Sequence, residues 1–161
     1  MWTDLSNRKY EDLKNYSAVF IGGGNTFRLL DFIRKSGFDQ LLLRYIRSDK
    51  PVFGGSAGAI ILGRDIGTAF FGEASDKNEV GIKDLTGLNV ANGYSIACHH
   101  SKAYDKKVIE YSSNTKIPTI ALSENTGLYI NDDEIRVFGS RSAIVFNGKI
   151  RKIIKVGSKI E

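Results

Sequence analysis

The residues best suited to do chemistry lie in Gly54-Gly55-Ser56-Ala57-Gly58-Ala59, directly after the apolar run Pro51-Val52-Phe53 and before Ile60-Ile61-Leu62. A serine flanked by small residues at a strand-to-helix junction has the form of a nucleophile elbow. The chain turns so tightly there that neighbouring side chains would collide, and glycine and alanine are the residues that fit. Such a turn presents the Ser56 hydroxyl and aims the Ala57 N–H at the place where negative charge develops in acyl transfer. The same spacing also describes glycine-rich turns with no catalytic role, so the rest of the chain has to supply the partners.

A second glycine turn supplies one of them. Ser17-Ala18-Val19-Phe20-Ile21 reads as a buried strand, Gly22-Gly23-Gly24-Asn25 follows, and Thr26 opens a helix with Asn25 or Thr26 as its N-cap. In an open parallel sheet these turns gather at the carboxyl ends of the strands. An N–H of Gly23 or Gly24 is therefore placed to act as a second oxyanion donor. A dinucleotide fingerprint is not met, because Phe27 stands where its third glycine belongs. A serine nucleophile also needs a base, and only His99 and His100 exist. Both follow the strand Tyr94-Ser95-Ile96-Ala97-Cys98, at the same presumed edge of the sheet, and the residues alone leave the choice between them open.

The two glycine segments, Gly22-Gly23-Gly24-Asn25-Thr26-Phe27 and Gly54-Gly55-Ser56-Ala57-Gly58-Ala59, resemble the signatures of the peptidase E family of serine peptidases, which includes aspartyl dipeptidases and is related to cyanophycinases. The resemblance runs from about Tyr10 to about Phe146. It implies Ser56 as nucleophile and His99 as base, Cys98-His99-His100 standing where the family has a Pro-His-aromatic motif. It implies Glu124, in Ser123-Glu124-Asn125, as the acid that orients the imidazole. A second family acid matches Asp76, with Asp65 behind it. Asn25, His100 and Arg64 are the expected substrate contacts, Arg64 or Arg141 supplying the cation for the aspartate carboxylate of a small Asp-Xaa peptide. The order Ser…His…Glu differs from that of α/β-hydrolases. Family members carry further strand–helix units ahead of the part that matches Tyr10, so this chain is short at its N-terminus, and a homodimer covering an exposed sheet edge is expected. The alternatives are a catalytically silent binding or assembly module, and another serine hydrolase, cyanophycinase-like or an esterase, on the same framework.

Composition fits an enzyme domain. The 161 residues are 42% hydrophobic and 25% charged, enough for a single domain, 1–161, with its own core. No apolar stretch reaches the roughly 18 residues of a membrane span, so no membrane partner is expected. The net charge of +5 arises from scattered basic residues. Their one concentration, at Lys149, Arg151, Lys152, Lys155 and Lys159, alternates with isoleucine and valine as in a protected edge strand, which argues against nucleic acid. Cys98 is the only cysteine, which excludes an internal disulfide and a cysteine zinc cluster and points to the cytoplasm. Serine hydrolysis needs no metal or cofactor, and none is expected.

The elements that must position these residues read as α/β: a mostly parallel doubly wound sheet with flanking helices and a C-terminal antiparallel hairpin region. Helices are predicted over 7–14, 26–35, 38–46, from Ala57 and over 105–112, and parallel strands over 17–21, 51–53, 94–98 and 118–122. Residues 63–90, with five glycines, read as irregular with a short hairpin. Strands over 127–130, 134–138, 143–146 and 149–156 are joined by turns at Asn131-Asp132-Asp133 and Asn147-Gly148.

Overall fold

A computed structural model describes the chain apart from residues 1, 3, 74 and 133, so the Asp133 part of the predicted turn lies outside the described residues. Among the described residues five α-helices and nine strands follow one another: α1 (Tyr10–Lys14), β1 (Val19–Ile21), α2 (Thr26–Lys35), α3 (Phe38–Ile46), β2 (Val52–Gly54), α4 (Ala57–Leu62), β3 (Ser95–Ala97), α5 (Asp105–Thr115), β4 (Thr119–Ala121), β5 (Thr126–Ile130), β6 (Ile135–Gly139), β7 (Ala143–Asn147), β8 (Ile150–Ile154) and β9 (Lys159–Ile160). Helix α2 forms because Phe27, Leu30 and Ile33 recur on one buried face, and the Asn25 side chain accepts the Arg28 N–H at its start. Gly37, at φ 69°, separates it from α3, whose Phe38, Leu42 and Tyr45 enter the same core.

Strands joined through helices pair in parallel, β1 with β2 and β3 with β4. Antiparallel pairing builds β4–β7–β8 in one sheet and β5–β6–β9 in another; short turns join β5 to β6 and β7 to β8, while the β4–β7 and β6–β9 pairs are long-range. The α/β class, with parallel strands, helices and C-terminal antiparallel pairing, is therefore present. The 63–90 segment contains one isolated bridge, Asp65 to Thr86, and a short 3-10 turn at Gly67–Phe70 in place of the expected hairpin. Strand β9 escaped notice because two residues carry no periodicity.

Among the described residues the core consists of two large apolar clusters and a smaller third of Ala97, Val108, Ala121 and Phe146. The first gathers Phe27, Leu30, Leu42, Tyr45 and Ile61 beneath β1 and β2; the second gathers Ile96, Ile120, Val137 and Val145 between the β3–β4–β7 sheet and β6. Cys98 packs against both. Strands β1 and β2 are covered on one face only. Phe20 and Phe53, neighbours in register, are 73% and 58% exposed on the other face. A strand buried on both sides, as the apolar run 17–21 suggests, needs a second helical layer that no described residue provides.

The junction of β1, β2 and α4 is packed to backbone contact. A Cβ on Gly58 would stand 2.2 Å from the Ile21 carbonyl oxygen, and one on Gly54 would stand 2.6 Å from the Gly58 carbonyl oxygen. Gly58→Ala should therefore lower stability by about 1–3 kcal/mol or more, since backbone has to move. Gly127→Ala, where an added Cβ meets nothing within 4 Å, should change it by less than about 0.5 kcal/mol. Thermal unfolding followed by circular dichroism checks the pair.

Candidate active site

Close packing at the junction decides the backbone of Ser56. The chain leaves β2 and enters α4 within two residues, and Ser56 takes up the reversal at φ 52°, ψ −116°, a conformation L-residues rarely adopt. The bend is held by Gly55 N–H donating to the Ile21 carbonyl, and by Gly58 N–H and Ala59 N–H donating to the Gly55 and Ser56 carbonyls. Gly23 abuts it, since a Cβ there would come within 3.2 Å of Ser56 Cβ. Bare backbone on the first glycine turn is what lets the second turn approach.

The hydroxyl so presented lies 2.8 Å from His99 Nε2. His99 follows β3 at φ 54°. Its Nδ1 donates to Glu124 Oε1 at 2.5 Å. A carboxylate accepts only, so the bond places the neutral ring's proton on Nδ1 and leaves the Nε2 lone pair facing Ser56. The parallel register explains the meeting. Ala97 is paired with Ala121, so the segments just beyond β3 and β4 emerge side by side at the carboxyl edge. The Leu122 N–H bond to the Ala97 carbonyl and the His100 N–H bond to the Leu122 carbonyl carry the pairing past the strands.

The N–H groups of Gly23 and Gly24 on the first glycine turn and of Ala57 after the second bond to no acceptor among the described residues. Gly24 sits at φ 131°, which frees its peptide to adopt an orientation other residues resist. Cys98, the other nucleophilic atom nearby, has its Sγ 3.7 Å from the Ser56 carbonyl oxygen. Burial, with a smaller contribution from the Glu124 charge, pushes its thiol up to about 12, so it stays protonated at neutral pH and is no nucleophile.

Not every expected residue joins this group. The Asp76 carboxylate accepts the Thr26 N–H at 2.7 Å and so caps α2, while Glu124 occupies the imidazole. Asn25 is committed to the same helix end, its amide nitrogen donating to the Lys77 carbonyl. His100 turns to the opposite side of its neighbour. It is buried, its Nε2 lies 2.8 Å from Asp105 Oδ1, and its ring edge meets Phe146. The positive φ of His99 sends the two successive side chains to different surroundings, which adjacency in sequence does not reveal. Arg64 lies past the far end of α4, beside Gly93, and Arg141 is exposed; neither borders the space in front of Ser56. Asp65 accepts from Gly67 N–H and Tyr111 Oη–H, away from the histidines.

That space is a cleft of about 900 Å³, with Ser56 and His99 in its wall. It is lined by residues 46–47 and 49–56, by residues 122–132, and by Ala59, Leu62, Val90 and Ile96. Sequence reasoning missed most of this lining, because apart from Ser56, His99 and Glu124 it comes from residues with no group suited to chemistry, on segments about 70 residues apart in the chain. Among the described residues no group of histidine, cysteine or acidic side chains could hold a metal ion.

The profile of peptidase family S51 matches residues 3–138. The chain belongs to that family. It is 26% identical over 153 residues to a peptidase E of Shewanella denitrificans, an alignment that covers 88% of this chain and 62% of the relative. To a peptidase E of Streptomyces coelicolor it is 25% identical, over 92% of this chain and 63% of that one. The chain thus spans somewhat less than two thirds of the length of these curated relatives. Among solved structures, a putative peptidase E protein from Listeria monocytogenes EGD-e superposes with a TM-score of 0.68 at 21% identity, covering 85% of this chain and 68% of that one. A peptidase from an acI-B1 Actinobacterium gives 0.69 at 17% identity, covering 98% and 64%. These two likenesses establish a shared fold.

The S51 elbow is strained at one residue, which makes a stability test specific. Ser56→Gly should be more stable than Ser56→Ala by about 1 kcal/mol. Relief of roughly 1–3 kcal/mol of backbone strain outweighs the extra freedom, about 0.5–1 kcal/mol, that glycine gives the unfolded chain. Urea denaturation of the two variants measures the difference.

Proposed function

We propose that the chain is a serine peptidase that hydrolyses small peptides through an acyl-enzyme, with Ser56 as nucleophile, His99 as general base and acid, and Glu124 as the group that orients the imidazole. The observation carrying this is the continuous contact from Ser56 Oγ to His99 Nε2 at 2.8 Å and from Nδ1 to Glu124 at 2.5 Å. Membership of family S51 and likeness to proteins called peptidase E support it.

Each step follows from that contact. As Ser56 Oγ bonds to the substrate carbonyl carbon, its proton passes to Nε2, and the carbonyl electrons move onto the oxygen. The oxyanion is met by the Ala57 N–H and by an N–H of Gly23 or Gly24, a contribution whose loss typically costs about 10²–10³ in turnover. Collapse breaks the C–N bond, and Nε2 returns the proton to the departing amine. Water then repeats the sequence on the ester, giving the acid and free Ser56. Glu124 is 71% exposed along its side chain, so its part is to hold the tautomer and to balance the imidazolium charge in a partly solvated setting.

The finer preference for Asp-Xaa dipeptides is supported by the family resemblance alone, since neither Arg64 nor Arg141 borders the cleft. A cytoplasmic setting is supported by the single cysteine. A second copy of the chain packing over Phe20 and Phe53 is supported by their exposure and predicts a concentration-dependent dimer in light scattering. A folded protein monomeric at high concentration would remove that proposal.

A fluorophosphonate probe should label the wild type and fail on Ser56→Ala and His99→Ala. On a dipeptide panel both variants should lose on the order of 10⁴–10⁶ in kcat, and the double variant should lose little more than either alone. Glu124→Gln should lose less, on the order of 10²-fold, because water has access to its place. Equal rates on Asp-Xaa and Ala-Xaa would remove the aspartate preference, and a folded wild type that never labels would leave a silent module.

A further inference from the structure

The strand that leads to the two histidines pairs regularly for three residues and then gains one. Ser95, Ile96 and Ala97 stand opposite Thr119, Ile120 and Ala121, so Leu122 falls opposite Cys98. In a regular parallel ladder the Leu122 N–H would bond the Ala97 carbonyl, and its own carbonyl would accept the His99 N–H. The first bond is made, but the Leu122 carbonyl accepts the His100 N–H instead. His99 is therefore the extra residue of a β-bulge, and its φ of 54° is how the backbone accommodates it.

One added residue exchanges the two faces. Along β3 the odd positions point to α5: Ser95 Oγ lies 3.1 Å from Tyr111 Oη, and Ala97 clusters with Val108 and Phe146. The even positions, Ile96 and Cys98, line the cleft. Without a bulge the alternation would carry the His99 ring to the α5 side and the His100 ring into the cleft. The bulge reverses this. His99 meets Ser56 Oγ, and His100 lies against Phe146 with its side chain 4% exposed. Which ring meets the serine is thus a matter of ladder register, and two registers one residue apart compete.

Something has to favour the bulged register, since it holds a residue with a Cβ at positive φ. The interaction that depends on it is the bond from His100 Nε2 to Asp105 Oδ1 at 2.8 Å. Asp105 opens α5 and is held in turn by Arg151 of β8, whose Nε donates to Oδ2 at 2.8 Å. Both carboxylate oxygens are thereby engaged, and the Asp105 side chain is only 16% exposed. Moving the His100 ring away would leave a mostly buried charge short of a partner. A well-packed apolar residue would stabilise this space as well; what a bonded chain of side chains adds is a single arrangement. We propose that His100 and Asp105 are positioning residues: their bond, braced by Arg151, locks the β3–β4 ladder in the bulged register and so delivers the His99 ring, rather than its neighbour's, to Ser56. The proposal rests on the reading of His99 as general base only for its effect on turnover; the register itself is read without any reaction.

The decisive variants are Asp105→Ala, which keeps both rings and removes the anchor, and His100→Ala, which removes it from the other end. His100→Gln keeps an N–H donor near the place of Nε2. In the wild type the His100 amide should exchange with solvent more slowly than the His99 amide. Both alanine variants should lose protection at His100 and gain it at His99 as the ladder returns to regular pairing, while His100→Gln should keep the wild-type pattern. The effect of His100→Ala should be the larger, because the slip then offers the His99 ring to Asp105. Turnover of a dipeptide should fall about 10–10²-fold in the alanine variants with KM within about twofold of wild type, since reacting geometry is lost while the cleft walls stay. Adding Asp105→Ala to His100→Ala should cost no more than about threefold further, as for two ends of one contact. Fluorophosphonate labelling should slow in step with turnover and still reach a stoichiometric end-point, which separates misplacement from loss of folded protein. If one alanine variant fails to fold, the other carries the same readouts. Unchanged exchange at both amides, a raised KM with kcat intact, additive losses in the double variant, or a rate loss matched by a lower labelling end-point would each overturn the proposal. A wild type that never labels removes the hydrolase, and amide exchange then still decides the register lock. Labelling in the wild type with both alanine variants indistinguishable from it keeps the hydrolase and removes the lock.

Discussion

Backbone-to-backbone contact between β1, β2 and α4 is the constraint from which the site follows. With Gly58 against the Ile21 carbonyl and Gly54 against Gly58, no side chain fits between the two turns, and the reversal has to be completed within one residue. That residue is Ser56, and its positive φ is the consequence. Strain of this sort persists only where the surroundings over-determine it. Here the bonds from Gly55, Gly58 and Ala59 and the buried Phe27, Leu30 and Ile61 beneath the turn supply that restraint. A more relaxed bend would carry the hydroxyl away from both the imidazole and the free N–H groups.

The histidine and its acid are positioned by a different device, the parallel register of β3 and β4. Pairing Ala97 with Ala121 makes the distance between His99 and Glu124 a property of the sheet rather than of a flexible loop. The left-handed turn at His99 then divides the histidine pair, one ring toward Ser56 and the other into a buried bond with Asp105, whose second oxygen accepts from Arg151 Nε at 2.8 Å. The second histidine thus anchors the strand end on which the first one works.

Around this small site the sheet is incomplete in a consistent way. Parallel strands ordinarily have both faces covered and their edges joined to neighbours. Here Phe20 and Phe53 face outward, and residues of β2 and β5 line one cleft. The same openness leaves an apolar surface exposed and a cleft open in front of Ser56.

Local chemistry alone determined a good deal. Glycine and alanine around Ser56 specify a tight turn wherever they occur, because excluded volume acts between neighbours in the chain. Asn25 specifies a helix start by the reach of its own side chain, and apolar periodicity marks the strands and helices that became β1, α2, α3 and β4. The family resemblance, not local chemistry, singled out His99 and Glu124 at strand ends. The tertiary structure decided that the rings of His99 and His100 enter different surroundings, that Asp76 caps a helix instead of meeting an imidazole, and that Arg64 lies outside the cleft. It also decided that strands about 70 residues apart in the chain border one cleft. Those outcomes depend on register, on the sign of one φ angle and on which strand edges find partners, and such long-range pairings leave no trace in the spacing of neighbouring residues.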